Sequence, residues 1–144
     1  VLNLETVVRD AVKLQAPQHP GVTPEVHFHA ELPLIRGDEM QLQRIVWNLF
    51  DNAAAAMTGQ GCFSVSARRE DERLELEFRD TGPGMAPETL AQALKPFFTT
   101  KEGGIGLGLP IVHRMVLEQG GQMAISSEPG AGTRVRISFP AIAH

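Results

Sequence analysis

The chain has one cysteine, Cys62, so no internal disulfide can form, and a reducing compartment is the simpler expectation. It has no excess of basic residues: 13 Lys and Arg against 17 Asp and Glu leave a net charge of -4. A nucleic-acid surface needs clustered cations to displace phosphate counterions, so none is expected. No apolar run approaches the ~20 residues that cross a bilayer, and no direct membrane contact is expected. Repeats and low-complexity tracts are also missing. The first residues, Val1-Leu2-Asn3-Leu4-Glu5, lack an initiator Met and are neither basic nor continuously apolar, which reads as a stretch of a longer protein rather than a signal peptide. What remains is 144 residues with 42% hydrophobic content, enough for one packed core.

Hydrophobic spacing gives the organisation. Leu4, Val7, Val8, Ala11, Val12 and Leu14 predict a helix that ends before Pro17. His19–Pro24 reads as a turn-rich connection, and Val26 to Ala30 alternates as an exposed edge strand does. Asp38 and Gln41 have capping-box spacing and open a long helix, with Leu42, Ile45, Val46, Leu49, Ala53, Ala56 and Met57 as its apolar stripe. Thr58-Gly59-Gln60-Gly61 closes it. Strands are expected at 62–69 and 73–79 around a charged turn; Leu74, Leu76 and Phe78 face one way, Glu75, Glu77 and Arg79 the other. A short helix at 87–94, a helix from Ile111 to Leu117 with Pro110 in its first turn, and strands at 123–126 and 133–139 complete the chain. Helices alternating with antiparallel hairpins predict an α/β two-layer sandwich, with helices on one face of a mixed sheet.

Four polar features stand out. Asn48 and Asn52 lie four residues apart on the long helix, at the edge of its apolar stripe. A neutral amide oxygen suits a magnesium ion that keeps waters and takes phosphate oxygens. Two plain surface asparagines are the blander explanation and, for the pair alone, the commoner one. Asp80-Thr81-Gly82-Pro83-Gly84 follows a strand; a carboxylate there can accept from an exocyclic amine such as that of adenine, beside glycine backbone that lets a flat base approach. Its bland alternative is a charged turn. Gly104-Ile105-Gly106-Leu107-Gly108-Leu109 runs into a helix and offers N–H groups to phosphates, although a hinge explains it equally well. It is neither a P-loop nor the dinucleotide fingerprint, because the Lys-Ser/Thr pair and the preceding strand are missing. Phe97-Phe98-Thr99-Thr100-Lys101 can anchor a mobile segment and bring one cation to a phosphate, and the Thr133 hydroxyl can reach Asp80 directly or through water. His27 and His29 share a strand face but have no further ligands at clear spacing, so they read as ordinary edge-strand residues; Trp47 and Cys62 read as packing.

In order and spacing these segments resemble the catalytic ATP-binding domain of sensor histidine kinases. Asn-Leu-Phe-Asp-Asn-Ala at 48–53 is similar to the N box, Asp-Thr-Gly-Pro-Gly-Met at 80–85 to the first glycine box, Pro-Phe-Phe-Thr-Thr-Lys at 96–101 to the F box, Gly-Ile-Gly-Leu-Gly-Leu at 104–109 to the second glycine box, and Gly-Ala-Gly-Thr at 130–133 to the closing one. The resemblance spans about residues 1–140; the short lid and the Asn-Ala…Ala-Met run resemble the nitrogen-regulation-sensor subgroup.

The resemblance implies a Bergerat sandwich that binds ATP and Mg2+. It implies Asn52 as the metal ligand with Asn48 beside it, Asp80 on the adenine amine supported by Gly82 and Thr133, and Lys101 with the 104–109 backbone on the phosphates under a short mobile lid from Phe98 to Gly104. Ala55, Gly84, Met85, Phe98, Thr99, Thr100, Gly104, Gly106, Leu107, Gly108 and Leu109 would complete the ATP-binding set, and Asn48, Asn52 and Lys101 the catalytic one. It implies a cytoplasmic bacterial kinase domain, monomeric alone and homodimeric in a parent that is either soluble or membrane-anchored, working with its own dimerisation and phosphoacceptor domain and, through it, a response regulator.

Two departures qualify this. Ala55, Ala56 and Met57 stand where many relatives carry a basic residue, which shifts phosphate contact toward Lys101. No histidine has the acceptor context: His19 precedes Pro20, His27 Phe28, His29 Ala30, His113 Arg114, and His144 is terminal. Relatives that hydrolyse ATP carry Glu where Asn48 stands; an amide cannot act as that base, so slow hydrolysis is expected. An ATP-sensing regulatory module and a protein-serine kinase of the same fold are the alternatives.

Overall fold

The computed structural model describes residues 2–28, 32, 34–84 and 108–142. Helix α1 is Leu4–Gln15, started by the Asn3 side chain, which accepts from the N–H groups of Glu5 and Thr6. It buries Leu4, Val7, Val8, Ala11 and Val12. Leu14, expected in that stripe, is 62% exposed, because it sits off the face its neighbours share. A 3-10 turn at Ala16–Gln18 follows. Strand β1 is Val22–Phe28, starting earlier than the proline-rich sequence suggests. As an edge strand it tolerates Pro24 without losing a ladder hydrogen bond on its open side.

Helix α2, Glu39–Ala56, supplies the centre of the core. Phe50 and Ala54 join the expected stripe, whereas Ala56 is exposed. Half of the capping box forms. The Asp38 carboxylate accepts from the Gln41 N–H at 3.2 Å, but the Asp38 N–H is taken by the Gln119 side-chain oxygen at 2.7 Å, and Gln119 also donates to Gln41. The helix ends in a Schellman pattern, with Gly59 N–H to Ala54 O at 2.8 Å and Thr58 N–H to Ala55 O at 3.1 Å. The residue in the left-handed position is Thr58, φ 53, rather than a glycine.

Strands β2 (Gly61–Glu70), β3 (Arg73–Asp80), β4 (Gln122–Glu128) and β5 (Gly132–Pro140) join β1 in the order β1-β2-β3-β5-β4. The β1–β2 pair is parallel and the others antiparallel, so the sheet is mixed. Helix α3, Gly108–Glu118, ends in a second Schellman turn with Gly120 at φ 77. The helices pack on one sheet face, where Phe63, Val65, Leu74, Leu76, Phe78, Val135, Ile137 and Phe139 are buried. The Trp47 indole donates to Ala11 O at 3.2 Å and ties α2 to α1. Asp51 does the same from the next turn: it accepts from Gln15 and meets His19 Nε2 at 2.6 Å, while the His19 ring stacks on Phe50. This is the two-layer α/β sandwich expected. The helix expected at 87–94 lies outside the described residues.

Candidate active site

Strand β3 alternates Leu74, Leu76 and Phe78 inward, and the same parity carries Asp80 to the next inward position. A carboxylate therefore stands where the pattern calls for a core residue, across from Phe63 and only 9% exposed. Leaving water disfavours its charged form, so burial raises its pKa, and two backbone N–H groups oppose the rise. Both reach Oδ1: Gly82 N–H at 2.9 Å and Thr133 N–H at 3.2 Å. Among the described residues no group donates to Oδ2, an oxygen able to accept from an amine.

The Thr133 contact corrects the expectation drawn from its side chain. The backbone N–H holds Asp80, while the hydroxyl lies 2.9 Å from Ser127 Oγ. Thr133, at the start of β5, and Ser127, at the end of β4, face the same side as Asp80, so one polar row crosses the inner end of three strands. Gly132 makes the closure possible. Its φ is +83, and a Cβ there would run into the Asp80 carbonyl.

Beyond Asp80 the chain is held on both sides. The Thr81 hydroxyl accepts from Cys62 N–H at 3.1 Å and lies 3.4 Å from the Met57 sulfur. Gly130 N–H donates to Pro83 O at 2.6 Å. A Cβ on Gly82 would sit 3.3 Å from Met57 Cγ and 3.5 Å from Ala56 O, so this loop lies against the last turn of α2. Asn48 and Asn52 are half-buried, about two turns and one turn upstream of that contact respectively, and Ala55 and Ala56 are exposed beside it. Met57 turns into the core, so the missing basic residue is replaced on this side by packing.

Helix α3 completes the near side. Its C-terminal end is fixed at the start of α2 through Gln119, and the two helices pack together, so they run antiparallel. Eleven residues at ~1.5 Å each bring the first turn of α3 about 16 Å back along α2, level with about Asn52. Gly108 and Leu109 are the first two residues of that turn, and its free N–H groups and positive dipole end favour an anion there. Met85, Phe98, Thr99, Thr100, Lys101, Gly104, Gly106 and Leu107 lie outside the described residues.

Among the described residues no group of three His, Cys, Asp or Glu could hold a metal ion by itself. His27 instead meets Glu25 at 3.5 Å, and His29 lies outside the described residues. A cation at this site would depend on a neutral amide and on the oxygens of a bound anion, the donor set that suits magnesium and not zinc. No helix is long and apolar enough to cross a membrane among the described residues.

The sensor histidine kinase ZraS of Escherichia coli K12 is 30% identical over 141 residues, which is 96% of this chain and 30% of that protein. Two solved structures share the fold at a TM-score of 0.86. The mycobacterial sensor histidine kinase MprB is 27% identical, with 99% of this chain and 97% of that one covered. Full-length ShkA in complex with AMPPNP is 30% identical, with 99% and 31% covered. The chain spans about a quarter to a third of the length of the curated relatives it matches first. The model of the histidine kinase-, DNA gyrase B- and HSP90-like ATPases matches residues 37–143, from the cap of α2 past the last strand, and the chain belongs to that family of nucleotide-binding domains.

Proposed function

We propose that this chain is the single catalytic ATP-binding domain of a cytoplasmic two-component sensor histidine kinase. It binds Mg-ATP and donates the γ-phosphoryl group to a histidine on a separate dimerisation domain. The observation that carries the reading is Asp80: an inward carboxylate with Oδ1 fixed by two N–H groups and Oδ2 left to accept from the adenine amine. Gly82 and Gly84 flank the base, with Met85 beyond them. Asn48, Asn52 and Ala55 line the phosphate side, and the first turn of α3 at Gly108 and Leu109 faces it. Lys101 and the 104–109 backbone would hold the phosphates, under a lid between Phe98 and Gly104. Asn52 would hold the magnesium ion, which would supply charge neutralisation for the transfer.

In the transfer, a ring nitrogen of the acceptor histidine attacks the γ-phosphorus. The bond to the β,γ-bridging oxygen breaks, ADP leaves with that oxygen, and the imidazole proton passes to solvent. The chain's contribution is position and charge, which suffices because the loose transition state asks little covalent help of the protein. Asn48 stands where a hydrolase needs a carboxylate, and an amide cannot deprotonate water.

The test adds a separately made acceptor hairpin of the parent kinase to this chain with γ-labelled ATP and magnesium. Acid-labile label should appear on the hairpin histidine, and Asn52→Ala should abolish both labelling and magnesium-dependent ATP binding. ATP binding without transfer would leave an ATP-sensing module; label on serine would point to a serine kinase; rapid steady hydrolysis would contradict the role given to Asn48.

A further inference from the structure

The sheet face away from the helices is open to water, and its charges fall into rows set by the strand register. Arg68 lies opposite Glu75, and Glu77 opposite Arg136, so these two rows balance. The third row runs Ser64, Arg79, Arg134, Ser126 across β2, β3, β5 and β4. It places two arginines directly opposite one another. Like charges paired across strands destabilise a sheet, and here only Arg134 has a described carboxylate, Glu77 at 2.7 Å. That oxygen is shared with Arg136 at 3.9 Å. Glu25 continues the row beyond Ser64 but stands two strands, about 10 Å, from Arg79. Arg79 has no ion-pair partner among the described residues. Between Ser64 and Ser126 the third row thus holds two arginines and no carboxylate, in a chain whose net charge is -4.

Arg79, Arg134 and Ser126 also line a concavity of about 270 Å³, with Ser127, Ala131, Gly132 and Thr133 completing its wall. That volume is just below the ~300 Å³ at which small-molecule pockets begin, so it admits a small anion and no folded segment. We propose that this pocket is an anion site for a small phosphate-class oxyanion, bridged by the Arg79 and Arg134 guanidinium groups and the Ser126 hydroxyl. A phosphate has oxygens enough to accept from both planar forks and the hydroxyl together, and it removes the repulsion between the two arginines. The pocket shares Ser127, Gly132 and Thr133 with the Asp80 site at the strand ends, but its two arginines point to the other face of the sheet: Arg79 and Asp80 are adjacent and point to opposite faces, as do Arg134 and Thr133.

The test titrates inorganic phosphate, at constant ionic strength against chloride, into protein saturated with magnesium and a non-hydrolysable ATP analogue. Amide shifts are read by NMR. Saturable shifts are expected at Arg79, Ser126 and Arg134. Arg79→Gln and Arg134→Gln should each weaken phosphate binding about tenfold, the loss of one charge-assisted contact. Without phosphate, Arg79→Gln should melt no lower than the parent, since it relieves repulsion; Asn52→Ala should leave the phosphate shifts unchanged. The proposal is overturned if phosphate gives no saturable shifts, if neither arginine variant weakens them, if Asn52→Ala abolishes them, or if only an acidic peptide titrates the row.

Discussion

Asp80→Asn should weaken ATP binding while leaving the empty domain as stable as the parent or more so. The asparagine carbonyl can keep the bonds from the Gly82 and Thr133 N–H groups. Its NH2 then replaces Oδ2 and meets the adenine amine donor to donor. Losing a hydrogen bond to a charged acceptor is worth about 1.5–3 kcal/mol, so Kd for ATP should rise roughly 10- to 150-fold, and selectivity over GTP should fall. Stability moves the other way. Burial raises the Asp80 pKa above 3.8, so in this interval the folded chain holds a proton that the unfolded chain has lost. The contribution of the protonated group is complete below pH 3.8 and is lost as pH rises through the folded value. The asparagine variant does not titrate, so its advantage over the parent should grow from pH 3.8 upward and then level off. ATP binding by the parent, which needs the ionised form, should weaken as pH falls through the same window. Calorimetric titration with ATP and GTP, and urea unfolding of both proteins from pH 4 to 7.5, read all three effects. Parent-like ATP affinity in the variant would refute the adenine role, and a large stability loss at every pH would make Asp80 a structural residue.

Three further substitutions probe how the site is held. Gly132→Ala forces a side chain into a backbone at φ +83 and against the Asp80 carbonyl; it should cost more than about 1 kcal/mol in urea unfolding and lower ATP affinity, because it displaces the Thr133 N–H. Thr58→Gly removes a β-branched residue from the left-handed position that ends α2; a net gain of about 0.5–1 kcal/mol is expected, with ATP affinity unchanged. Gln119→Ala leaves the Asp38 N–H without its acceptor and unties α3 from α2; a loss of about 1–2 kcal/mol is expected by urea unfolding.

Periodic segments were legible in the sequence because one residue set decides them. The stripe of α2 and the alternation of β3 need only local spacing, and both stand as expected apart from Ala56, Phe50 and Ala54. β1 was read short because prolines signal turns, and only its edge position admits Pro24. The capping box was half right because Gln119, 78 residues from Gln41, competes for the same groups, and no local pattern announces that. At the site, Asp80 was legible as a residue but not as a buried one. Its signal was present all the same, since the inward parity of 74, 76 and 78 extends to 80. Thr133 was found for its hydroxyl and acts through its backbone, a difference that side-chain chemistry cannot reveal; Ser127, its partner, had no signal beyond ending a strand.

The same bond explains why this site depends on the whole sheet. Asp80 and Thr133 are 53 residues apart, and their contact exists only when β3 pairs with β5. Asp80 as an ion is a cost to the empty fold, since burial disfavours its charge and two N–H groups only partly compensate. A ligand amine on Oδ2 favours the ionised form that the fold alone does not. Nucleotide should therefore stabilise the domain by mass action, and the gain should be larger at neutral pH than near pH 4. A carboxylate placed purely for structure would be stabilised by its own hydrogen bonds and would show no such coupling between pH and ligand.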